Sequence, residues 1–543
     1  MIVSHSLLLF AAFGPINQQA QNSSGGELLP EEAAYDVRHY ELSLAVEPEQ
    51  RTIEGTLVMT ADLLVASERL VFDLADELDL RAVRLNGAAV EFERGEAQRV
   101  FVPSAELAAG KSFELTVDYG GKPRRAPQPP WRGGFTWDST ADGSPWITTT
   151  CQGEGGDLWW PCKDHPSDEP DGMDLKITVP SPLVVASNGR LIGSEESEEL
   201  TTWHWRVTTP ISNYAVAINI APYVMLTQEY QSTAGDELPV TYWVLPENEE
   251  QGKEILPEFV EHLAFYEDVF GPYPFRGDKY GVVETPHLGM EHQSIIAYGN
   301  RYRGDPNFDY DWLHHHELAH EWWANLVTAA DWNDFWIHEG IGTYCQALYL
   351  ERKFGVEAMR RKMAADRRQI RNRGPVAPRG ARDTHWMYFG NRGEASPTGD
   401  IYTKGSWICH SLRYLLGDET FFRVVRRWAY PDPELEKTTD GSACRLANTD
   451  ELLEIAESVS ERELGWFFEL YLRQAKLPEL VEVREGDILK LTWAVPEGLD
   501  FPMPVDVRVG ERVVRVELRD GTGQIEVGDA DYAVDPDRWL LRK

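Results

Sequence analysis

A chain of 543 residues is too long for one ordinary core and, at roughly 150 residues per domain, calls for about three or four units. Hydrophobic residues at 42% and aromatics at 11%, with a mean hydropathy of −0.41, describe globular material and exclude extensive disorder beyond the N-terminal tail. A formal charge of −37 and a pI near 4.7 exclude nucleic acid and anionic membrane as partners, because phosphates would repel most of the surface, and favour cationic substrates.

In chain order, residues 1–34 read as a signal-like segment and linker. A short apolar run ends near Phe13, and a polar Gly/Ser-containing stretch follows. Export to a periplasm or medium is the expectation. The absence of Lys or Arg before the apolar run, and Gln18 ahead of a cut after Ala20, keep a cytoplasmic location open. No other segment approaches the roughly 20 apolar residues of a membrane span.

Residues 35–224 alternate apolar and polar in runs such as "HYELSLAV", "GTLVMTADLL" and "TTWHWRVTT", separated by Gly, Pro, Asn and Asp. They predict a large antiparallel β-domain, with the acidic "GSEESEEL" as a hairpin tip. Residues 225–476 change period. "NEEQGKEILPEFVEHLAFYEDVFG", "FDYDWLHHHELAHEWWANLV", "WIHEGIGTYCQALYLERKFG" and "KGSWICHSLRYLLG" carry helical spacing, and all but the second end at Gly, predicting a mostly helical domain. Within it "RRKMAADRRQIRNRG", Arg360 to Gly374, reads as a solvated helix face paired with acidic neighbours. Residues 477–543 return to strands, enough for a small β-sandwich and no large helical C-terminal domain. The fold class is therefore multidomain α+β. Five cysteines without CxxC spacing indicate neither a thiolate zinc site nor a disulfide framework, and leave a Cys151–Cys162 bridge open.

The chemistry concentrates in "HHHELAH", His314 to His320. Residues four apart share a helix face, so His316 and His320 can reach one ion with Glu317 beside it. His314 and His315 lack that spacing and read as helix-start or supporting residues. Two imidazoles do not complete a zinc site. Glu339, nineteen residues after His320 and near the start of the next helical segment, is the natural third ligand. A His, His, Glu set leaves a position open for water, which suits catalysis rather than a structural staple.

These motifs resemble the zinc aminopeptidases, the gluzincins that include aminopeptidase N and the leukotriene-hydrolysing enzyme. "HLGMEHQ", His287 to Gln293, is similar to that family's Gly-x-Met-Glu-Asn motif. "IYTKGSW", Ile401 to Trp407, is similar to its Tyr-x-Lys-Gly segment, and "TCQGEGGDLWWPCKD" to the segment preceding its Trp-Phe-Pro-Cys stretch. The resemblance runs from Tyr35 through nearly the whole chain. It implies a thermolysin-like catalytic domain and one zinc per chain on His316, His320 and Glu339. Glu317 is implied as general base toward a metal-activated water, and Tyr402 as proton donor to the oxyanion. Glu291 matches the anchor of the substrate's free amino group, Gln152 a second polar contact there, and Gly289 and Met290 the rest of that substrate-binding motif. Leu288 and His292 depart from the motif, and residues after Leu477 are expected to hold only the sandwich and not the large helical domain that covers the site in aminopeptidase N. The expected activity is release of N-terminal residues from peptides with a free N-terminus. An endopeptidase or epoxide hydrolase on the same scaffold, and a catalytically silent binding scaffold, are the competing readings.

Overall fold

The computed structural model describes residues 23–105, 107–391 and 393–543. The signal-like run through residue 20 lies outside the described residues. The part of the linker that is described packs down: Ser24 is buried, Gly25 bridges Asp383, and Ser23 Oγ lies 3.3 Å from Thr384 Oγ1.

The alternating runs form an eight-stranded sheet whose order is Arg190–Glu196, Leu200–Val207, Met173–Pro180, Tyr35–Glu47, Thr52–Leu63, Lys111–Gly121, Leu78–Leu85 and Ala88–Ala89. The acidic run spans the hairpin between the first two, as expected. One pairing departs from the antiparallel pattern. Tyr35–Glu47 and Met173–Pro180 run parallel from Tyr40↔Met173 to Ala45↔Thr178, since the long excursion between them supplies the crossover that a parallel pair needs. A second sheet joins Val184–Ser187, Ile218–Ala221, Pro145–Thr150 and Gly134–Ser139.

The middle of the chain is mostly helical but opens on a five-stranded sheet that periodicity did not reveal. Its order is Val224–Gln228, Val240–Val244, Tyr280–Glu284, Ile296–Tyr298 and Gly289–Met290. All five residues of Tyr280–Glu284 are buried, so the strand shows no polar alternation to read. Against the sheet and one another pack α1 (Glu249–Phe270), α2 (Trp312–Ala319), α3 (Trp336–Phe354), α4 (Val356–Arg367), α5 (Thr384–Phe389) and α6 (Asp400–Leu416). Arg360 of α4 pairs with Glu357 and Asp537, and Lys362 with Asp366. From Glu479 onward the described residues form strands and loops only, in two three-stranded sheets.

Two apolar clusters hold the molecule together. One is continuous from the catalytic domain into the C-terminal sandwich, where Leu489, Trp493 and Val505 join it. The other fills the β-domain and takes in Met290, Trp332, Phe335 and Tyr402 from the catalytic domain. The seam between β-domain and catalytic domain is thus a packed interface, the usual place for a ligand site. All five cysteines are free thiols. Among the described residues no helix is long and apolar enough to cross a membrane.

Candidate active site

Helix α2 begins at Asp311, whose carboxylate accepts the His314 amide at 2.9 Å and the Tyr298 hydroxyl at 2.6 Å. That cap fixes the rotation of the three histidines. His314 turns toward α1, stacked on Phe259 at 3.8 Å and 2.6 Å from the Tyr280 hydroxyl. His315 meets the Tyr266 hydroxyl at 3.1 Å. Both are core residues, and burial pushes their pKa values well below the usual imidazole range. His316, one step further round, faces the opposite side.

The helix is shorter than its apolar period implies. It ends at Ala319, and the backbone leaves helical geometry at Trp323 and Ala324. The sequence pattern through Trp323 and Val327 remains buried, which is why it mimicked a longer helix. The break has a use. It brings the Trp323 carbonyl to 3.0 Å from His320 Nδ1, and a carbonyl only accepts, so Nδ1 carries the proton and Nε2 keeps its lone pair.

Glu339 lies in the first turn of α3. Its Oε2 is 3.6 Å from both His316 Nε2 and His320 Nε2, and the two imidazole nitrogens are 3.4 Å apart. Atoms about 2.0–2.1 Å from a tetrahedral zinc ion would be roughly 3.3–3.4 Å from one another. The three residues form the metal-capable group found among the described residues. Two further observations fit a cation there. Glu339 Oε2 is buried without a hydrogen-bond partner, and burial drops His316 to a pKa of about 4, leaving a neutral imidazole at neutral pH.

Electrostatics point the same way. Burial raises the carboxyl pKa values of Glu291, Glu317 and Glu339, and for Glu317 the charges of the other two raise it further. Three buried carboxylates are costly unless positive charge meets them. A divalent cation and one ammonium group would balance all three.

The remaining residues close around this cluster from both domains. Gln152, from the β-domain, donates its amide to Glu291 Oε1 at 2.5 Å and to Glu339 Oε1 at 3.3 Å. Tyr402 donates its hydroxyl to Glu339 Oε1 at 2.8 Å. Its placement follows from glycine: α3 and α6 touch where Gly340 meets Gly405, so closely that a Cβ on Gly340 would sit 2.8 Å from the Gly405 Cα. Tyr402 lies one turn before that contact. Lys404 secures the same helix by donating to the carbonyls of Gln474 and Ala475, each at 3.0 Å. Gly289, on the edge strand, is equally constrained, since a Cβ there would be 2.4 Å from Glu317 Oε1 and 2.6 Å from Leu313 Cδ1. Met290 is 2% exposed, its side chain in the β-domain cluster, so only its backbone is available to a ligand.

Two residues escaped sequence reasoning. The Tyr388 hydroxyl lies 3.0 Å from that of Tyr402 and 3.5 Å from Gln152 Oε1, and the Tyr214 hydroxyl donates to Glu291 Oε1 at 3.3 Å. Neither carries a local signal. Tyr388 sits in a six-residue helix and Tyr214 in a single turn, and each reaches the site only through tertiary packing.

A zinc-type triad, an adjacent unengaged carboxylate in Glu317 and a buried acidic anchor define a metallopeptidase-like centre. Comparison with known proteins agrees. The Peptidase M1 N-terminal domain matches residues 37–215 and the Peptidase family M1 domain residues 258–469, and the chain belongs to peptidase family M1. Leucine aminopeptidase 2 of Candida glabrata is 26% identical over 326 residues, covering 58% of this chain and 47% of that protein. The alanine/arginine aminopeptidase of Saccharomyces cerevisiae is 24% identical over 489 residues, covering 84% of this chain and 53% of its own. The chain thus spans about half the length of these curated relatives. Among solved structures, an M1 zinc metallopeptidase from Deinococcus radiodurans superposes with a TM-score of 0.65 at 24% identity, over 85% of this chain and 99% of that one. A two-domain M1 zinc metallopeptidase mutant bound to L-arginine matches with a TM-score of 0.64 at 25% identity, over 84% and 98%.

Proposed function

We propose that this protein is a zinc aminopeptidase that removes N-terminal residues from peptides. One observation carries the reading. The Gln152 amide touches both Glu291 and Glu339, so the acidic anchor lies within roughly 6 Å of the metal triad, short of the ~3.3–3.6 Å per residue that two extended residues require. One residue fits between an ammonium group at Glu291 and a carbonyl at the triad. A more distant amino group would not be met.

Zinc held by His316, His320 and Glu339 would lower the pKa of a water molecule and polarise the scissile carbonyl. Glu317 takes the proton of the attacking water and returns it to the leaving amine. It makes no side-chain hydrogen bond among the described residues that would compete. Tyr402, whose proton is held firmly because burial raises the phenol pKa, donates to the developing oxyanion, a contribution on the order of 2.7–4 kcal/mol for such donors. Tyr388 steadies it by hydrogen bond. Glu291, held by Gln152 and Tyr214, receives the α-ammonium group, which is protonated below a pKa of about 8. The coming together of His316, Glu317, His320, Glu339 and Tyr402 in one cluster disfavours a silent scaffold.

The test is kcat/KM for leucine amide and N-acetyl-leucine amide on the zinc-loaded enzyme and on Glu291→Ala. Acetylation leaves a buried carboxylate without its partner, a loss of roughly 3–5 kcal/mol, or several hundredfold and more. Glu291→Ala should narrow that gap with zinc content unchanged. Equal cleavage of both amides by the unmutated enzyme would favour an endopeptidase, and hydrolysis of an epoxide instead of either would favour the hydrolase.

Gly289→Ala tests the position of the base. The added methyl group must displace Glu317 or the edge strand, and misplacement by about 1 Å can cost on the order of 10²-fold. Zinc content should not change. Full activity would show that Glu317 tolerates the shift and that its geometry is not critical.

A further inference from the structure

A cavity of about 1270 Å³ reaches the metal triad at His316. His316 and Tyr402 stand at one end, and neither Glu291 nor Gln152 is in its wall. Thr403, Trp407 and His410 continue the wall along α6. From Tyr402 to His410 is eight helical residues, about 12 Å. The C-terminal segment closes the far side. Trp539 stacks on His410 with ring centroids 4.4 Å apart, and Ser411 Oγ donates to the Trp539 carbonyl and accepts the Leu541 amide, each at 3.0 Å.

The far wall reverses the charge of the molecule. Most of its acidic groups are already engaged: Glu357 and Asp537 by Arg360, Asp366 by Lys362, Asp535 by the amides of Trp539 and Leu540, and Asp305 by those of Asn307 and Phe308. Arg361, Arg368 and Arg538 line the same cavity, are exposed, and have no carboxylate partner among the described residues. Arg361 rests on the Phe308 ring at 4.9 Å. Arg367 adds a fourth guanidinium, tied to the Arg542 carbonyl at 2.5 Å. On a chain of net charge −37, four arginines lacking acidic partners around one concavity form an anion-attracting wall.

We propose that this cavity receives the leaving part of a short peptide and that Arg361, Arg368 and Arg538 recognise a carboxylate on it. The inference rests on the aminopeptidase reading, which places the N-terminal residue at Glu291 and sends the rest of the peptide through the cavity. At ~3.3–3.6 Å per extended residue, about three residues beyond the scissile bond span the ~12 Å of wall from Tyr402 to His410, where the C-terminal segment carrying Arg538 is held by Trp539. The free C-terminus of a tetrapeptide falls there, and so would an acidic side chain at a similar distance in a longer chain. The enzyme is thereby set to finish short peptides, its acidic exterior attracting the amino end and its basic cavity wall holding the other.

The experiment compares Leu-Ala-Ala-Ala, its C-terminal amide and Leu-Ala-Asp-Ala amide on the zinc-loaded enzyme and on the triple variant Arg361→Gln, Arg368→Gln, Arg538→Gln. Each kcat/KM is normalised to leucine amide on the same protein, because that substrate has no residue beyond the scissile bond to extend to the arginines. Amidation of the tetrapeptide should lower the normalised value about tenfold in the unmutated enzyme, chiefly through KM, as expected for a few exposed ion pairs together. The ratio should fall to within about twofold in the triple variant and shrink with added salt. Recovery with the Asp peptide assigns the site to any carboxylate at that reach, and no recovery assigns it to the α-carboxylate. Equal rates for free and amidated tetrapeptides on the unmutated enzyme, or discrimination that survives the triple substitution, would overturn the inference while leaving the aminopeptidase reading in place. Absence of turnover on leucine amide would remove both.

Discussion

Replacing Glu317 by Gln is expected to leave the fold and bound zinc intact while lowering kcat by about 10²- to 10⁴-fold, the range for loss of a general base. The amide nearly matches the carboxylate in shape, so the close approach of Gly289 is kept, but it cannot accept the proton of the attacking water. A second effect follows from the buried site. Burial, and then the charges of Glu291 and Glu339, raise the Glu317 pKa, so above the ordinary carboxylate range this group costs the metal-free fold stability that a neutral amide does not. Metal-free Glu317→Gln should therefore melt at a higher temperature than the metal-free parent. The measurement is kcat with zinc analysis, then thermal unfolding after chelation. Retention of parental kcat would defeat the assignment of Glu317.

Replacing Glu339 by Ala is expected to abolish tight zinc binding, since two imidazoles remain and an open site needs three protein ligands. Zinc that binds only the folded state stabilises by RT ln(1 + [Zn]/Kd), about 4 kcal/mol at a thousandfold excess over Kd. Adding zinc to the stripped parent should raise its unfolding midpoint, and the same addition to Glu339→Ala should not. The change also removes the acceptor of the Tyr402 and Gln152 hydrogen bonds, so activity alone cannot report the ligand role. Zinc content by mass analysis does. A variant holding one zinc per chain as firmly as the parent would mean that another residue is the third ligand.

Much of this centre is legible in the linear chain because its chemistry is local. His316, Glu317 and His320 are related by helical spacing, and Glu339 opens the next helix, so their convergence requires one turn of the chain. Alternation likewise disclosed the β-domain, the acidic hairpin and the C-terminal strands, where one face is wet and the other dry. Tyr402 and Glu291 stood out only through their resemblance to family motifs, since by residue type both look like ordinary buried groups.

The rest was decided by tertiary structure. Tyr388 and Tyr214 enter the site from short irregular segments far from the motifs. The central strand Tyr280–Glu284 of the five-stranded sheet is buried on both faces, and the apolar run after Ala319 is buried whether helical or not, so neither left a period to read. The basic stretch after Arg360 was visible as charge. Which arginines keep acidic partners and which face the cavity depends on the C-terminal segment folding back against α6. Sequence determines periodicity and spacing because those are properties of one element. Partnership among charges separated by hundreds of residues is a property of the packed whole.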